Sequence, residues 1–352
     1  MKTVYLHIGA PKTGTSSIQS FCRENSAALA TRGIWFPLLP VERLGMNAQA
    51  HSARGHHPIA LHLINEKAGN FPPDLFDALL SRFESSSHSS LLVSAETLFQ
   101  RVRVFAKARI PAALRKFRVV AICYIRRSDE FLESLYKTNV RGLSRYSKPI
   151  SVFTKRTPEF ASRLDTFSKL FQPEVLIVRS YDLAKTDLLN DFFTTVLGYA
   201  DPGLCELFPT EWHNIALSAR QTLFLRLLNE KQLDPMSFKK VCRVFSSLPP
   251  DPDNSSLLSP ELRQRLIRSY NDDVALLNAQ YELNLPVVNE GSSRETLEQL
   301  CEADLDMLVE KLKTQLHSKV LSEVVASLRS AQRLEGSQSS KRSLLRAQGA
   351  RD

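Results

Sequence analysis

Residues 4–22 hold the feature that most constrains the fold: a strand, a polar loop and a helix in direct succession. Val4, Leu6 and Ile8 alternate as the residues on one face of a strand do, and apolar residues recur at helical spacing from Ile18 onward. The loop between them combines two glycines, one lysine and several hydroxyl residues. Its polar residues and glycines are Gly9, Lys12, Thr13, Gly14, Thr15, Ser16 and Ser17.

A loop of this composition between a strand and a helix can bind phosphate. Glycine lets the backbone approach an anion, the first N–H groups of the helix bind it, and the helix dipole adds partial positive charge. Lys12 supplies a full positive charge, and the hydroxyl groups supply further donors. The sequence therefore predicts a phosphate-binding loop, and a surface turn rich in small residues is the alternative.

The position of the lysine indicates which phosphate the loop binds. Gly9 and Gly14 are spaced as in G-x-x-x-x-G-K-[ST], but Thr15 stands where a nucleoside-triphosphate loop has lysine. The pattern H-I-G-A-P-K-T-G-T-S-S at 7–17 resembles the 5′-phosphosulfate loop of sulfotransferases that use 3′-phosphoadenosine 5′-phosphosulfate (PAPS). The resemblance implies that this cofactor is bound by Gly9, Pro11, Lys12, Thr13, Gly14, Thr15 and Ser16.

Composition limits the class of protein. The 352 residues suffice for one large α/β domain with an appendage, and 43% hydrophobic residues is ordinary for a globular chain. No apolar run approaches the roughly 20 residues of a membrane span, and we expect a cytoplasmic protein without a signal peptide. The net charge of +9 suits an anionic cofactor or substrate; because the basic residues are dispersed, nucleic acid is not an expected partner.

Neither the cysteines nor the histidines form a metal-binding pattern. The five cysteines have no C-x-x-C spacing, and Cys22 and Cys123 stand in apolar settings typical of small core residues. In the histidine-rich segment 51–57 and its continuation, His57 and His62 are five residues apart and share no helical face. We expect a loop that faces substrate or solvent, and no metal.

Further strands predict a parallel sheet. Residues 33–37 indicate a short strand, and the apolar runs at 91–93, 119–125 and 175–178 are each followed by a helical pattern. The run at 119–125 is the most continuous and predicts a central strand covered on both faces. The sequence thus predicts a three-layer α/β/α fold with a central parallel sheet, a P-loop-like phosphate-binding loop and a helical C-terminal region.

The second half of the chain is predicted to be helical from 212 to 283, with a loop at 246–256. Ser292 to Glu295 has the form of a capping box and opens an amphipathic stretch with leucine and valine up to Leu328. We divide the chain into an α/β domain at 1–285, a helical extension at 286–333 and a disordered tail at 334–352. The extension is expected to pack on its own domain, with a homodimer as the alternative.

The resemblance implies a second anion site for the cofactor's 3′-phosphate. Sulfotransferases place an arginine at the end of a central strand and a serine about two helical turns later. Arg126 follows the run at 119–125, and Ser134 lies eight positions further on, so both side chains come to one face of a helix. They can hold a phosphate with charge-assisted hydrogen bonds. Arg127 is the alternative to Arg126.

The chemistry that the resemblance implies is transfer of a sulfuryl group from PAPS to a hydroxyl or amine. Lys12 would stabilise the charge on the leaving phosphate, and a base would take the acceptor's proton. By resemblance to the glycan-modifying sulfotransferases this base is Glu96, which follows a predicted strand; by resemblance to the cytosolic ones it is His57. The plain alternative for Glu96 is an acid in the first turn of a helix.

Two other classes of function stay open. A kinase would need magnesium ligands, and although Thr15 and Ser16 could supply one, no predicted strand ends in a suitable aspartate. A non-catalytic interaction protein with a vestigial nucleotide site would bind through the C-terminal helix. The resemblance favours a carbohydrate or glycoconjugate acceptor, and basic residues such as Arg43 and Arg54 suit a polar or anionic one.

Overall fold

The computed structural model describes most of the chain, and its contacts divide it into two compact units. The described residues are 1–40, 55–64, 70–107, 110–153, 158–209, 217–248, 254–289 and 294–328. The first unit comprises Met1–Phe131, Pro158–Thr210 and Ile267–Asn289, and the second comprises Leu132–Thr157, Glu211–Leu266 and Glu290–Asp352. His51, Arg43, Arg54 and the tail at 334–352, all singled out in the sequence, lie outside the described residues.

The first unit is built on a parallel sheet of five strands. These are β1 (Thr3–His7), β2 (Ile34–Trp35), β3 (Ser90–Ser94), β4 (Arg118–Ile125) and β5 (Val175–Ser180). Their order is β2-β3-β1-β4-β5, and every neighbouring pair is parallel. The arrangement confirms the predicted α/β fold with a central parallel sheet. Because β1 lies in the middle, the segments that follow β1, β3 and β4 emerge side by side at one edge of the sheet.

Helices make up most of the remaining described structure. In chain order they are α1 (Thr15–Glu24), α2 (Ser26–Thr31), α3 (His57–Leu63), α4 (Leu75–Ser85), α5 (Thr97–Gln100), α6 (Ser128–Arg141), α7 (Ile150–Phe153), α8 (Phe160–Phe171), α9 (Tyr181–Ala184), α10 (Leu188–Asn190), α11 (Pro202–Cys205), α12 (Ala219–Glu230), α13 (Pro235–Ser247), α14 (Pro260–Tyr281), α15 (Glu302–Lys313) and α16 (318–328). A π-helical turn, Asp191–Val196, follows α10 directly. No described helix is both long and apolar enough to cross a membrane.

Apolar burial explains the position of the sheet. All residues of β4 except Arg118 are buried, as the continuous apolar run predicts for a strand covered on both faces. On one face, Ile18 and Phe21 of α1 belong to the same buried cluster as Phe192 and Phe193 of the π-helical turn. Burial of large aromatic and aliphatic side chains therefore fixes α1 against the sheet, and with it the loop that precedes α1.

The C-terminal helix begins later than the sequence predicts, so the predicted start at Ser292 was wrong. Helix α15 starts at Glu302, where the cap is formed by Cys301 and Asp304. Ser256 donates its N–H to the carbonyl of Glu295 and accepts the N–H of Leu297, both at 2.8 Å, so residues near 295–297 pair as an extended segment. These backbone groups are consequently unavailable to a helix. The domain boundaries at 285 and 333 and the homodimer stay predictions.

Two glycines of the first unit give a matched test of the packing around the loop. Gly14 and Gly198 both have φ of 75°. A Cβ on Gly14 would lie 2.2 Å from Cδ2 of Leu188, whereas one on Gly198 would meet nothing within 4 Å. Gly198→Ala should therefore cost only the left-handed conformation, about 1–2 kcal/mol. Gly14→Ala should cost a further amount of about 1–3 kcal/mol from overpacking.

Urea unfolding of the two variants measures this difference in the free energy of unfolding. Equal destabilisation by both substitutions would contradict the close packing of Leu188 on Gly14.

Candidate functional site

The loop after β1 is built so that its backbone faces the start of α1. Ile8 and Ala10 still donate their N–H groups to β4, to the carbonyls of Ile122 at 2.9 Å and Tyr124 at 3.3 Å. The chain then turns through Lys12, with φ of 67°, and Gly14, with φ of 75°. Helix α1 starts at Thr15, and its first N–H groups have no acceptor within the helix. The turn thus presents backbone donors and the positive end of a helix dipole.

The two threonines of the loop have different roles. The hydroxyl of Thr13 donates to the carbonyl of Ala10 at 2.6 Å, so its hydrogen is used within the loop. Thr13 can therefore donate a hydrogen bond to an anion only through its backbone N–H. The Oγ1 atom of Thr15 is buried and has no hydrogen-bond partner. A buried hydroxyl without a hydrogen bond costs free energy, and a bound anion would remove this cost by accepting the hydrogen of Thr15.

Arg126 follows β4 and holds the loop in place. Its Nη1 donates to the carbonyl of Lys12 at 3.1 Å, and its guanidinium lies 5.2 Å from the ring centre of Tyr181. Two carboxylates accompany it, Glu130 at 3.3 Å from Nη2 and Asp182 at 4.0 Å from Nε. Since a non-glycine residue in the left-handed region is strained, this contact stabilises the conformation that Lys12 adopts.

Arg127 is the alternative to Arg126, and Ser134 is the serine predicted to bind the 3′-phosphate together with Arg126. Arg127 forms two hydrogen bonds with the buried carboxylate of Asp129, at 3.2 and 2.9 Å. Its backbone N–H donates to Asp182 at 2.9 Å. Ser134 lies on α6, in the part of that helix that belongs to the second unit. A shared 3′-phosphate site of Arg126 and Ser134 stays a prediction.

Glu96 stands two residues after the end of β3, at the N-cap position of α5. Burial raises the pKa of the Glu96 carboxyl, and the positive charge of Lys12 partly offsets this effect. The carboxyl and the ammonium group of Lys12 are therefore close enough to interact at this edge of the sheet. A carboxylate with a raised pKa is a stronger base than one in water, and a raised pKa is typical of carboxylates that transfer protons.

His57, the other candidate base, contacts the residue next to Glu96. It is the first residue of α3, and its Nδ1 lies 2.7 Å from Oγ1 of Thr97. Burial lowers the pKa of His57 to about 4, so its imidazole is neutral at pH 7. A histidine with this pKa is a weak proton acceptor. Both candidates thus lie around the start of α5, and the electrostatic environment favours Glu96.

The other histidine of this segment is structural. The N–H of Ser94 donates to Nδ1 of His56 at 2.9 Å, which leaves the hydrogen on Nε2 for the carbonyl of Pro37 at 2.8 Å. The backbone N–H of His56 also donates to the carbonyl of Ser94 at 2.7 Å. These bonds attach the start of α3 to the end of β3. Among the described residues, no group of three or more His, Cys, Asp or Glu side chains is arranged to hold a metal ion.

A buried polar network beneath the loop was missed in the sequence. His7 and Ser94 end the neighbouring strands β1 and β3, and their side chains meet at 2.9 Å between Nδ1 and Oγ. Gln19 of α1 donates to the carbonyl and the hydroxyl of Ser94, at 3.3 and 3.1 Å. The available signal was a polar residue at the end of each of two strands that were predicted to be buried.

The chain is similar to known proteins only at the level of solved structures. No protein-family model matches the sequence, and no curated protein matches it either. The crystal structure of a sulfotransferase from Alicyclobacillus acidocaldarius is similar with a TM-score of 0.40 and 13% sequence identity. The match covers 81% of this chain and 98% of that chain. A similarity at this level does not show a shared family or activity.

The buried histidines give the protein a pH dependence of known sign. Burial lowers the pKa of His7 to about 3 and that of His56 and His57 to about 4. Below the unfolded value of about 6.5, the unfolded chain binds protons that the native chain does not. The free energy of unfolding should therefore fall as the pH drops from 6.5 toward 4, by up to about 1.4 kcal/mol per pH unit for each histidine.

Urea unfolding at pH 7, 6 and 5 measures this dependence. His57→Gln should reduce the slope, because it removes one of the imidazoles whose pKa burial lowers. A free energy of unfolding that stays constant between pH 6.5 and 5 would contradict the neutral state of these imidazoles.

Proposed function

We propose that this protein transfers the sulfuryl group of PAPS to a hydroxyl or amine of an acceptor, a carbohydrate or glycoconjugate. The observation that carries the proposal is the loop after β1, where Lys12 lies inside the turn and Thr15 stands at the start of α1. Glu96 emerges from the neighbouring strand close enough to Lys12 for their charges to interact. A positive anion site next to a partly buried carboxylate with a raised pKa supports group transfer with proton removal.

The residues of the loop fit a phosphate group. The N–H groups of Thr15 and Ser16 are unsatisfied by the helix that they begin. The buried Oγ1 of Thr15 has no partner, and an anionic oxygen would accept its hydrogen. Lys12 adds the full charge that these dipoles lack. When bound, PAPS would supply the sulfuryl group, and adenosine 3′,5′-bisphosphate would leave through its 5′-phosphate oxygen.

Within this proposal, Lys12 and the start of α1 stabilise negative charge that develops at the loop. The backbone donors of the loop are held before the reaction, because Arg126 donates to the carbonyl of Lys12 and the hydroxyl of Thr13 donates to the carbonyl of Ala10. Donors fixed in this way need no reorganisation as charge develops. Loss of one such donor costs on the order of 10²–10³ in rate.

Glu96 is the proposed base. Burial raises its pKa, which strengthens it as an acceptor of the proton from a hydroxyl or amine. Lys12 keeps the carboxyl ionised to a larger extent than burial alone would allow. His57 is neutral, but its pKa of about 4 makes it the weaker of the two bases.

An acceptor screen with labelled PAPS tests the proposed function. Label should pass to at least one carbohydrate or glycoconjugate in the presence of EDTA, and Lys12→Ala should reduce the transfer by on the order of 10²-fold or more. Magnesium-dependent transfer of the γ-phosphate of ATP to the same acceptors, without transfer from PAPS, would indicate a kinase instead.

The base is tested by Glu96→Gln, which removes the proton acceptor and keeps the size of the side chain. Turnover should fall by about 10²–10⁴, while the affinity for adenosine 3′,5′-bisphosphate stays within a few-fold. Glu174→Gln is a matched control. Glu174 is exposed and pairs with Arg118, and it precedes β5, so it lies at the amino ends of the strands, away from Glu96. The control should retain normal turnover.

The pH profile gives a second reading of the same group. Because the base must be ionised, turnover of the wild-type protein should decline as the pH falls through the raised pKa of Glu96. Near-normal turnover in Glu96→Gln, together with its loss in His57→Gln, would contradict this assignment of the base.

A further inference from the structure

The histidine at the end of β1 is enclosed directly beneath the loop. Its side chain is fully buried, and its ring centre lies 5.1 Å from that of Phe192 and 6.2 Å from that of Tyr124. Burial lowers the pKa of His7 to about 3, so the imidazole is neutral and has one N–H. Which nitrogen carries this hydrogen decides what the ring can do for the loop.

The neighbours of Ser94 assign the hydrogen to Nε2. Gln19 must present its amide N–H₂ to Ser94, because one of its two contacts there is a carbonyl, which only accepts. The Ser94 hydroxyl therefore accepts from Gln19 and has its own hydrogen left for Nδ1 of His7, at 2.9 Å. If Nδ1 donated instead, the Ser94 hydrogen would have no acceptor among its described contacts. Nδ1 is thus the acceptor, and Nε2 carries the hydrogen.

The N–H of Nε2 faces the phosphate-binding loop. A Cβ on Gly9 would lie 3.1 Å from Nε2 of His7 and 2.7 Å from Oγ1 of Thr15, so both atoms border the space beside this glycine. Both are buried, and neither has a hydrogen-bond partner. Two neighbouring polar atoms, one a donor and the other a hydroxyl, are therefore unsatisfied at the same place.

We propose that His7 is a positioning residue, whose Nε2–H donates to Oγ1 of Thr15 when the loop holds an anion. A hydroxyl has one hydrogen and two lone pairs, so a donor that occupies a lone pair leaves the hydrogen for the anion. An Nε2 without hydrogen would instead accept the hydroxyl hydrogen and turn it away from the anion. The inference rests on the proposed function in one respect, that the loop binds the cofactor's phosphate.

In the proposed anion-bound state, every hydrogen bond of this series points from the protein interior outward. Gln19 donates to Ser94, Ser94 donates to His7, His7 donates to Thr15, and Thr15 donates to the bound anion. Because the imidazole stays neutral, this series of hydrogen bonds orients the hydroxyl hydrogen of Thr15 toward the anion and adds no charge. Lys12 supplies the charge, and His7 supplies the orientation.

Nitrogen NMR of the full chain with labelled histidine tests the tautomer without any substitution at His7. Among the eight histidines, His7 should show a protonated Nε2 and an unprotonated Nδ1 at pH 7. The Nε2–H signal should shift when adenosine 3′,5′-bisphosphate saturates the protein, and should not shift in Thr15→Val. A protonated Nδ1, or an Nε2–H signal that ignores the bisphosphate, would overturn the inference.

Two variants separate positioning from a structural role. The side-chain amide of Gln reaches the place of Nε2, whereas that of Asn reaches the place of Nδ1. His7→Gln should therefore keep the affinity for the bisphosphate within a few-fold, and His7→Asn should weaken it about tenfold or more. If the contact of His7 with Ser94 were merely structural, His7→Asn should keep the affinity for the bisphosphate and His7→Gln should weaken it. In the Thr15→Val background, His7→Asn should weaken binding no further, because the two residues act as one unit.

The outcomes also separate this inference from the proposed function. Wild-type protein that does not bind the bisphosphate at millimolar concentration would overturn both. Wild-type protein that binds it, with unchanged affinity in His7→Asn, would overturn the role of His7 alone.

Discussion

The position of β1 in the middle of a parallel sheet is the constraint on which the candidate site depends. Strands β3 and β4 flank it, so the residues that follow these three strands meet at one edge. The loop that holds Lys12 follows β1, Glu96 follows β3 within two residues, and Arg126 follows β4 directly. Each chemical group is thus placed by backbone pairing, which buried apolar side chains stabilise on both faces of the sheet.

Polar contacts between these segments then fix the conformation of the loop. Arg126 donates to the carbonyl of Lys12, which lies in the left-handed region, and two carboxylates and an aromatic ring orient the guanidinium. Beneath the loop, Ser94 at the end of β3 is joined to both His7 and Gln19. A backbone strained by about 1–2 kcal/mol at one residue persists because such neighbours hold it.

The sequence predicted those parts of the site that depend on local pattern. Strand alternation, the glycine spacing and Lys12 identify the loop, and the run before Arg126 identifies a buried strand. The contact of Arg126 with the carbonyl of Lys12 was not predictable, because it joins residues 114 positions apart in sequence. The same holds for His7 with Ser94. The helix start at Ser292 was wrong because the backbone near Glu295 pairs with Ser256 instead, a non-local choice that a capping pattern does not reveal.

Calorimetric titration with adenosine 3′,5′-bisphosphate tests the central claim most directly, because it needs no knowledge of the acceptor. The account predicts saturable binding that is the same in EDTA and in magnesium, and that is markedly weaker in Lys12→Ala. ATP, which lacks the 3′-phosphate, should bind less tightly than the bisphosphate under both conditions. The account would be contradicted by an absence of binding at millimolar bisphosphate, or by ATP binding that requires magnesium and exceeds that of the bisphosphate.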